Sequence, residues 1–159
     1  MSRAGDFFRE KVVAPLLGQL KQGVTPRRLA VSVALGLCIG LFPLVGTTTA
    51  ICLAAGYFLR LNHPALQVAN HCMYPFQIPM VLVFVRLGEK LYGAPPAPLA
   101  PAGLAREFAA GPAAFLRTYG KAGIYGVSAW ALLAPFLALV LYASLAPLFG
   151  RMAKRGRRA

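Results

Sequence analysis

Gln67, Asn70, Tyr74 and Gln77 recur at offsets of three, four and three residues within a stretch that carries no charge. That spacing sets all four on one face of a helix, provided the helix continues through Pro75. Amides and a phenol in an apolar segment must find hydrogen-bond partners inside the protein, so this face points at other helices or at a wet cavity. It serves either interhelical hydrogen bonding, which holds many membrane bundles together, or a path that recognises a polar substrate. A second set lies upstream in Pro43, Gly46, Thr47 and Thr48. Pro43 ends a helical ladder, Gly46 permits a turn, and Thr47 or Thr48 can cap a new helix. A helix N-terminus there, and another near Phe76, would present free N–H groups and positive dipole ends to an anion such as a lipid phosphate. Arg60 and Arg86 would add charge.

Glu89, one of four acidic residues, follows Arg86 by three positions, a spacing that allows pairing on a helix. The pair reads as an interfacial ion pair, or as a gating or headgroup-binding pair. Catalysis finds little support. The chain holds no G-x-S-x-G, no Walker loop and no paired carboxylates. His63 and His71 lack metal-motif spacing, and Cys38, Cys52 and Cys72 form no C-x-x-C pair. The cysteines read as small apolar packing residues that stay reduced. No catalytic residue, metal or cofactor is assigned, and the chain is expected not to be an enzyme.

The elements that must position these residues are three stretches without Asp, Glu, Lys or Arg: 29–59, 61–85 and 122–150, each bracketed by arginine or lysine. Each exceeds the roughly 20 apolar residues that cross ~30 Å of hydrocarbon. Apolar residues make up 58% of the chain and charged residues 13%, with mean hydropathy +0.61; a soluble domain carries about 25% charged residues. The net charge of +13 invites a nucleic-acid reading. Its placement argues against one, because no basic stripe with interleaved aromatics exists outside the apolar runs. The basic residues flank those runs instead: Arg3, Arg9, Lys11, Lys21, Arg27 and Arg28 before the first, and Arg151, Lys154, Arg155, Arg157 and Arg158 after the last. That pattern fits cytoplasmic flanks against anionic headgroups.

Five segments follow. Residues 1–24 read as an amphipathic helix with Phe8, Val12, Leu16 and Leu20 on one face and Pro15 as a kink. The helix lies in the membrane interface or packs on the rest of the protein. It has no h-region or cleavage site of a signal peptide. Thr25 as N-cap and Pro26 at the first helical position open the membrane domain, 25–93. This domain has two proline-broken segments. In the first, 29–42 and 47–59 are helices of ~20 Å each, forming one bent crossing or a hairpin with its tip inside or across the membrane. In the second, Asn62-His63-Pro64 opens a helix that Pro75 and Pro79 break. Residues 94–121 form a proline-rich linker and a surface helix broken at Gly111-Pro112. Residues 122–150 form a final spanning helix, kinked at Pro135, and 151–159 a basic tail. The fold class is all-α: a polytopic membrane protein with proline-broken transmembrane or re-entrant helices and an N-terminal amphipathic helix.

Several phrases then resemble a bacterial membrane family, domain of unknown function 2062. They are Thr25-Pro26-Arg27-Arg28-Leu29-Ala30, Gly36-Leu37, and Leu41-Phe42-Pro43-Leu44-Val45-Gly46-Thr47-Thr48-Thr49. Further on come Leu59-Arg60-Leu61-Asn62-His63-Pro64-Ala65-Leu66-Gln67, Asn70, Tyr74-Pro75-Phe76-Gln77 and Arg86-Leu87-Gly88-Glu89. The resemblance runs from about Thr25 to Gly150. It implies a small bacterial inner-membrane protein and no particular reaction.

An even number of crossings puts both termini on the cytoplasmic side, as the positive-inside tendency asks. The expected activity is that of a transporter or lipid translocator using broken helices at the midplane, with Pro43, Gly46, Thr47, Thr48, Arg60, Asn70, Tyr74, Gln77, Arg86 and Glu89 lining the substrate or lipid site. The alternative is a non-catalytic scaffold or accessory subunit that binds a partner and anionic lipid. Expected partners are membrane lipids, with a homo-oligomer or a membrane partner protein, and no nucleic acid.

Overall fold

The computed structural model describes Gly18 and residues 24–156. The amphipathic helix expected over 1–24 and the end of the basic tail therefore lie almost wholly outside the described residues. Among the described residues the fold is all-helical, with six helices: α1 (Pro26–Gly40), α2 (Thr48–Phe58), α3 (His63–Cys72), α4 (Tyr74–Leu91), α5 (Pro101–Ala109) and α6 (Pro112–Gly156).

Helix α1 begins as its sequence dictates. Thr25 is extended, its hydroxyl oxygen accepts the Arg28 N–H at 3.4 Å, and Pro26 stands in the first turn, where a missing N–H costs nothing. The helix ends at Gly40, and the chain turns through 41–47 with Gly46 at φ +88°. Helix α2 then runs back. Arg60 takes φ +52°, and the Asn62 N–H donates to Ser32 Oγ at 2.9 Å, while Ser32 donates to the Arg28 carbonyl. The chain after α2 is thus returned to the N-terminal half of α1, and the pair is a helical hairpin.

Asn62 caps α3, its Oδ1 accepting the Ala65 N–H at 2.9 Å. Helix α3 packs on α1 through small residues. A Cβ at Gly36 would collide with the Leu66 carbonyl and the Ala69 side chain, and one at Gly40 with Met73 and the Asn70 carbonyl. Gly36-x-x-x-Gly40 is therefore the face that lets the two backbones approach.

At Met73 the chain bends by 69° into α4. Sequence reasoning expected Pro75 and Pro79 both to break the helix. Pro75 instead falls in the first turn of α4, and Pro79 sits inside a helix that continues to Leu91. The break precedes both prolines because Pro75 fits at a helix start, and Pro79 removes only a single ladder bond. Gly111 at φ +116° separates α5 from α6.

Helix α6 is longer than the expected 122–150, running 45 residues without interruption through Pro135 and Pro147. It lies antiparallel to α1. Phe149 packs with Leu29, Ala30 and Val33, while Trp130 and Ala134 meet Cys38 at the far end of α1. One core joins α1, α3 and α6; a second, around Ile39, Cys52 and Leu66, joins α1, α2 and α3. The outer face of α6 stays uncovered, with Leu132 68%, Phe136 69% and Leu139 63% exposed at helical spacing. Among the described residues α6 is the one unbroken helix long and apolar enough to cross a membrane, and α3–α4 qualifies as a bent pair.

Candidate functional site around the α1–α2 break

The polar row meets the two residues that flank the second set, Phe42 and Thr49. Helix α1 stops short of Phe42, leaving the Phe42 carbonyl without a helical partner; Gln77, buried in the first turns of α4, donates its Nε2–H to it at 3.1 Å. Gln67 on α3 donates to the Thr49 carbonyl at 3.3 Å, and the Tyr74 hydroxyl lies 3.2 Å from the Thr49 hydroxyl. Gln77 thus engages the break itself, while Gln67 and Tyr74 engage Thr49 in the first turn of α2. The bend at Met73 aims Gln77 at Phe42 rather than continuing a straight helical face. Asn70, the fourth member, is fully buried and makes no hydrogen bond through its side chain.

The break itself is held open by α6. Trp130 donates its indole N–H to the Cys38 carbonyl at 3.2 Å, and its ring meets Phe42 edge-on at 4.8 Å. Pro43 is buried against this support, with its Cβ near the position a side chain at Gly126 would take. Leu44, Val45 and Gly46 form an exposed tip. Thr47 occupies the N-cap position of α2, as expected, but its hydroxyl donates back to the Leu44 carbonyl at 2.8 Å and makes no capping bond. Thr48 is buried.

Arg60 and Arg86 are not part of this cluster. Arg60 follows α2 at the end opposite Thr48, a helix length of ~16 Å away, and Arg86 lies ~13 Å along α4 from Gln77. Arg86 instead pairs with Glu89 at 2.8 Å. Glu89 is 4% exposed, and its second oxygen accepts the Ala97 N–H at 2.7 Å. The acid therefore fastens the proline-rich segment after α4, which Tyr119 also holds by donating to the Pro98 carbonyl at 3.1 Å. The segment between Gly93 and α5 thus has two anchors that local sequence patterns do not reveal.

The ends of the bundle differ in charge. Thr25, Pro26 and Arg27 line one cleft with Pro147, Gly150 and Lys154, so the basic start of α1 and the basic end of α6 are adjacent. The return of Asn62 to Ser32 brings Arg60 toward the same end. Cys38 and Cys52 are buried packing residues, and Cys38 donates weakly to the Ala134 carbonyl. Among the described residues, no three His, Cys, Asp or Glu side chains are grouped to hold a metal ion. The geometry offers amides, hydroxyls and the N-terminus of α2 for binding, whereas the Phe76 N–H near the start of α4 is already bonded to the Met73 carbonyl at 2.9 Å.

No curated protein and no solved structure was found to match the chain. A family model described as an uncharacterized protein conserved in bacteria matches residues 11–158. That span includes the break, the polar row and the Arg86–Glu89 pair, and the chain belongs to the bacterial family domain of unknown function 2062.

Proposed function

We propose that this chain is a multi-pass protein of the bacterial inner membrane that binds a polar lipid headgroup at the α1–α2 break and helps it cross the bilayer. The observation that carries the reading is the convergence of Gln67, Tyr74 and Gln77 on the two sides of the discontinuity, at Phe42 and at Thr49 in the first turn of α2. Discontinuous helices in a membrane build substrate sites because irregular backbone is tolerated there only when protein or a wet cavity surrounds it. The first turn of α2 supplies N–H groups and a positive dipole end beside these amides and hydroxyls, a suitable cradle for a phosphate. The uncovered apolar stripe of α6 is suited to keep the acyl chains in lipid while the headgroup moves.

The distribution of charge supports this placement. Arg27, Arg28, Arg60, Arg151 and Lys154 gather toward one end and face the cytoplasm under the positive-inside tendency. The α1–α2 hairpin enters from that face, α3–α4 crosses as a bent span, and α6 returns. At ~22 Å and ~16 Å, α1 and α2 bring the tip deep into a ~30 Å hydrocarbon layer. The test is purified protein reconstituted with fluorescently labelled phospholipid, scored for exposure of label to an impermeant quencher outside the vesicle. Faster exposure than in protein-free vesicles supports translocation. No acceleration with neutral or anionic lipids rejects it and leaves a scaffold or accessory subunit as the reading.

A further inference from the structure

The seam between α2 and α3 contains more polar groups than it satisfies. Ser32, Gln77 and Glu89, all buried, each have hydrogen-bond partners. Asn70 is 0% exposed, yet both Oδ1 and Nδ2 lack a partner. Gln67 uses its Nε2 on the Thr49 carbonyl and leaves Oε1 buried and unpartnered; His63 Nδ1 is buried and unpartnered as well. Residues 63, 67 and 70 are four and three apart, which puts them on one face of α3 over ~10 Å. That face meets α2 at His63, whose ring abuts the backbone at Gly56, and at Gln67, which reaches Thr49; Asn70 continues the face at the inner edge of the seam, where its carbonyl lies beside Gly40 of α1.

A buried amide with neither group paired is destabilising unless something fills its hydrogen bonds. The unpaired set narrows what that is. It comprises two acceptor oxygens, one N–H donor group and an imidazole nitrogen that serves as either. Neither α2 nor α3 contains Asp, Glu, Lys or Arg, so an ion in the seam would lack a countercharge. A cation would satisfy the oxygens and leave Nδ2 facing positive charge, and an anion would do the reverse. A hydroxyl both donates and accepts, and it is neutral. We propose that the α2–α3 seam is a binding site for neutral hydroxyl groups, supplied either by water molecules or by a polyol such as glycerol. The inference concerns the seam alone and stands or falls independently of lipid translocation.

Thermal unfolding of the purified full-length protein tests it, with Asn70→Leu as the probe. Leucine keeps the branched shape, with two methyls in place of the amide oxygen and nitrogen, and removes both unpaired groups. An occupied site loses the occupant's hydrogen bonds, so Tm falls by several degrees; a dry site is relieved, and an unchanged or higher Tm overturns the proposal. The source is read by unfolding wild type and variant in glycerol and in sucrose of equal osmolality. An extra rise in glycerol, present in wild type and absent in Asn70→Leu, identifies a polyol; equal rises alongside the lower Tm identify water. If Asn70→Leu does not fold, X-ray radiolysis of the wild-type protein in water decides. Oxidation of fully buried Cys52 and Leu66 supports an occupied seam, and their protection overturns it.

Discussion

Gln77 donates its amide N–H to the Phe42 carbonyl across 3.1 Å, tying the start of α4 to the point where α1 has already ended. Gln77 is 4% exposed, so its amide has no ready water-facing alternative. Replacing Gln77 with leucine leaves a carbonyl at the break unpaired. The expected loss is about 1–3 kcal/mol in chemical denaturation. Tyr74→Phe removes only a half-exposed hydroxyl contact with Thr49 and should cost at most about 1 kcal/mol.

The α1–α3 contact depends on two glycines. Gly36→Ala and Gly40→Ala each push a methyl into the backbone or side chains of α3, and each should lower stability by about 1–3 kcal/mol. Gly120 and Gly123 have open space around a would-be Cβ and lie inside α6. Alanine there should be neutral or stabilising by up to about 1 kcal/mol. Equal effects at all four positions in a thermal series would contradict the packing described.

These contrasts show which parts of the structure can be read from the chain. Starts of helices are local: Thr25-Pro26 and Asn62-His63-Pro64 specify α1 and α3 through the cap and the proline in the first turn. The turn at Gly46 is local too, because φ +88° demands glycine. Neither proline by itself marks the bend at Met73, because proline opens a helix at Pro75 and is tolerated inside one at Pro79. Gly36-x-x-x-Gly40 is a local pattern, but the surface of α3 that it admits is not. The hydrogen bond from Ala97 to Glu89 had no sequence signal, since it depends on how the proline-rich segment folds back. The polar row was legible as a face, but its target at 42–49 emerges only when α2, α3 and α4 are packed.

Two backbone positions flanking α2 should respond in opposite directions. Gly46→Ala forces a side chain into φ +88° and should cost about 1–2 kcal/mol, whereas Arg60 already bears that kind of strain at φ +52°. Arg60→Gly should therefore be neutral or stabilising by up to about 1 kcal/mol. Denaturant midpoints of the two variants check the pair.

Glu89 fastens the proline-rich segment through the Ala97 N–H. Glu89→Ala should release the segment around Ala97, so hydrogen exchange at the Ala97 amide should rise at constant pH while amides in the middle of α6 keep their protection.

The proposed placement makes a clean prediction about sides. With the native cysteines replaced, single cysteines at Arg60 and Lys154 should react with an impermeant reagent only after cells are opened, and one at Lys90 in intact cells. Labelling of positions 60 and 90 from the same side would contradict a spanning α3–α4.

The most direct test of the central claim compares lipid translocation by reconstituted wild type and Gln77→Leu, after each is shown to be folded and incorporated equally. The account predicts protein-dependent translocation in wild type and at least a tenfold slower rate in the variant, because the bond that shapes the break is gone. Equal rates in both would show that the break does not carry the lipid, and no rate above protein-free vesicles would show that this chain does not move it.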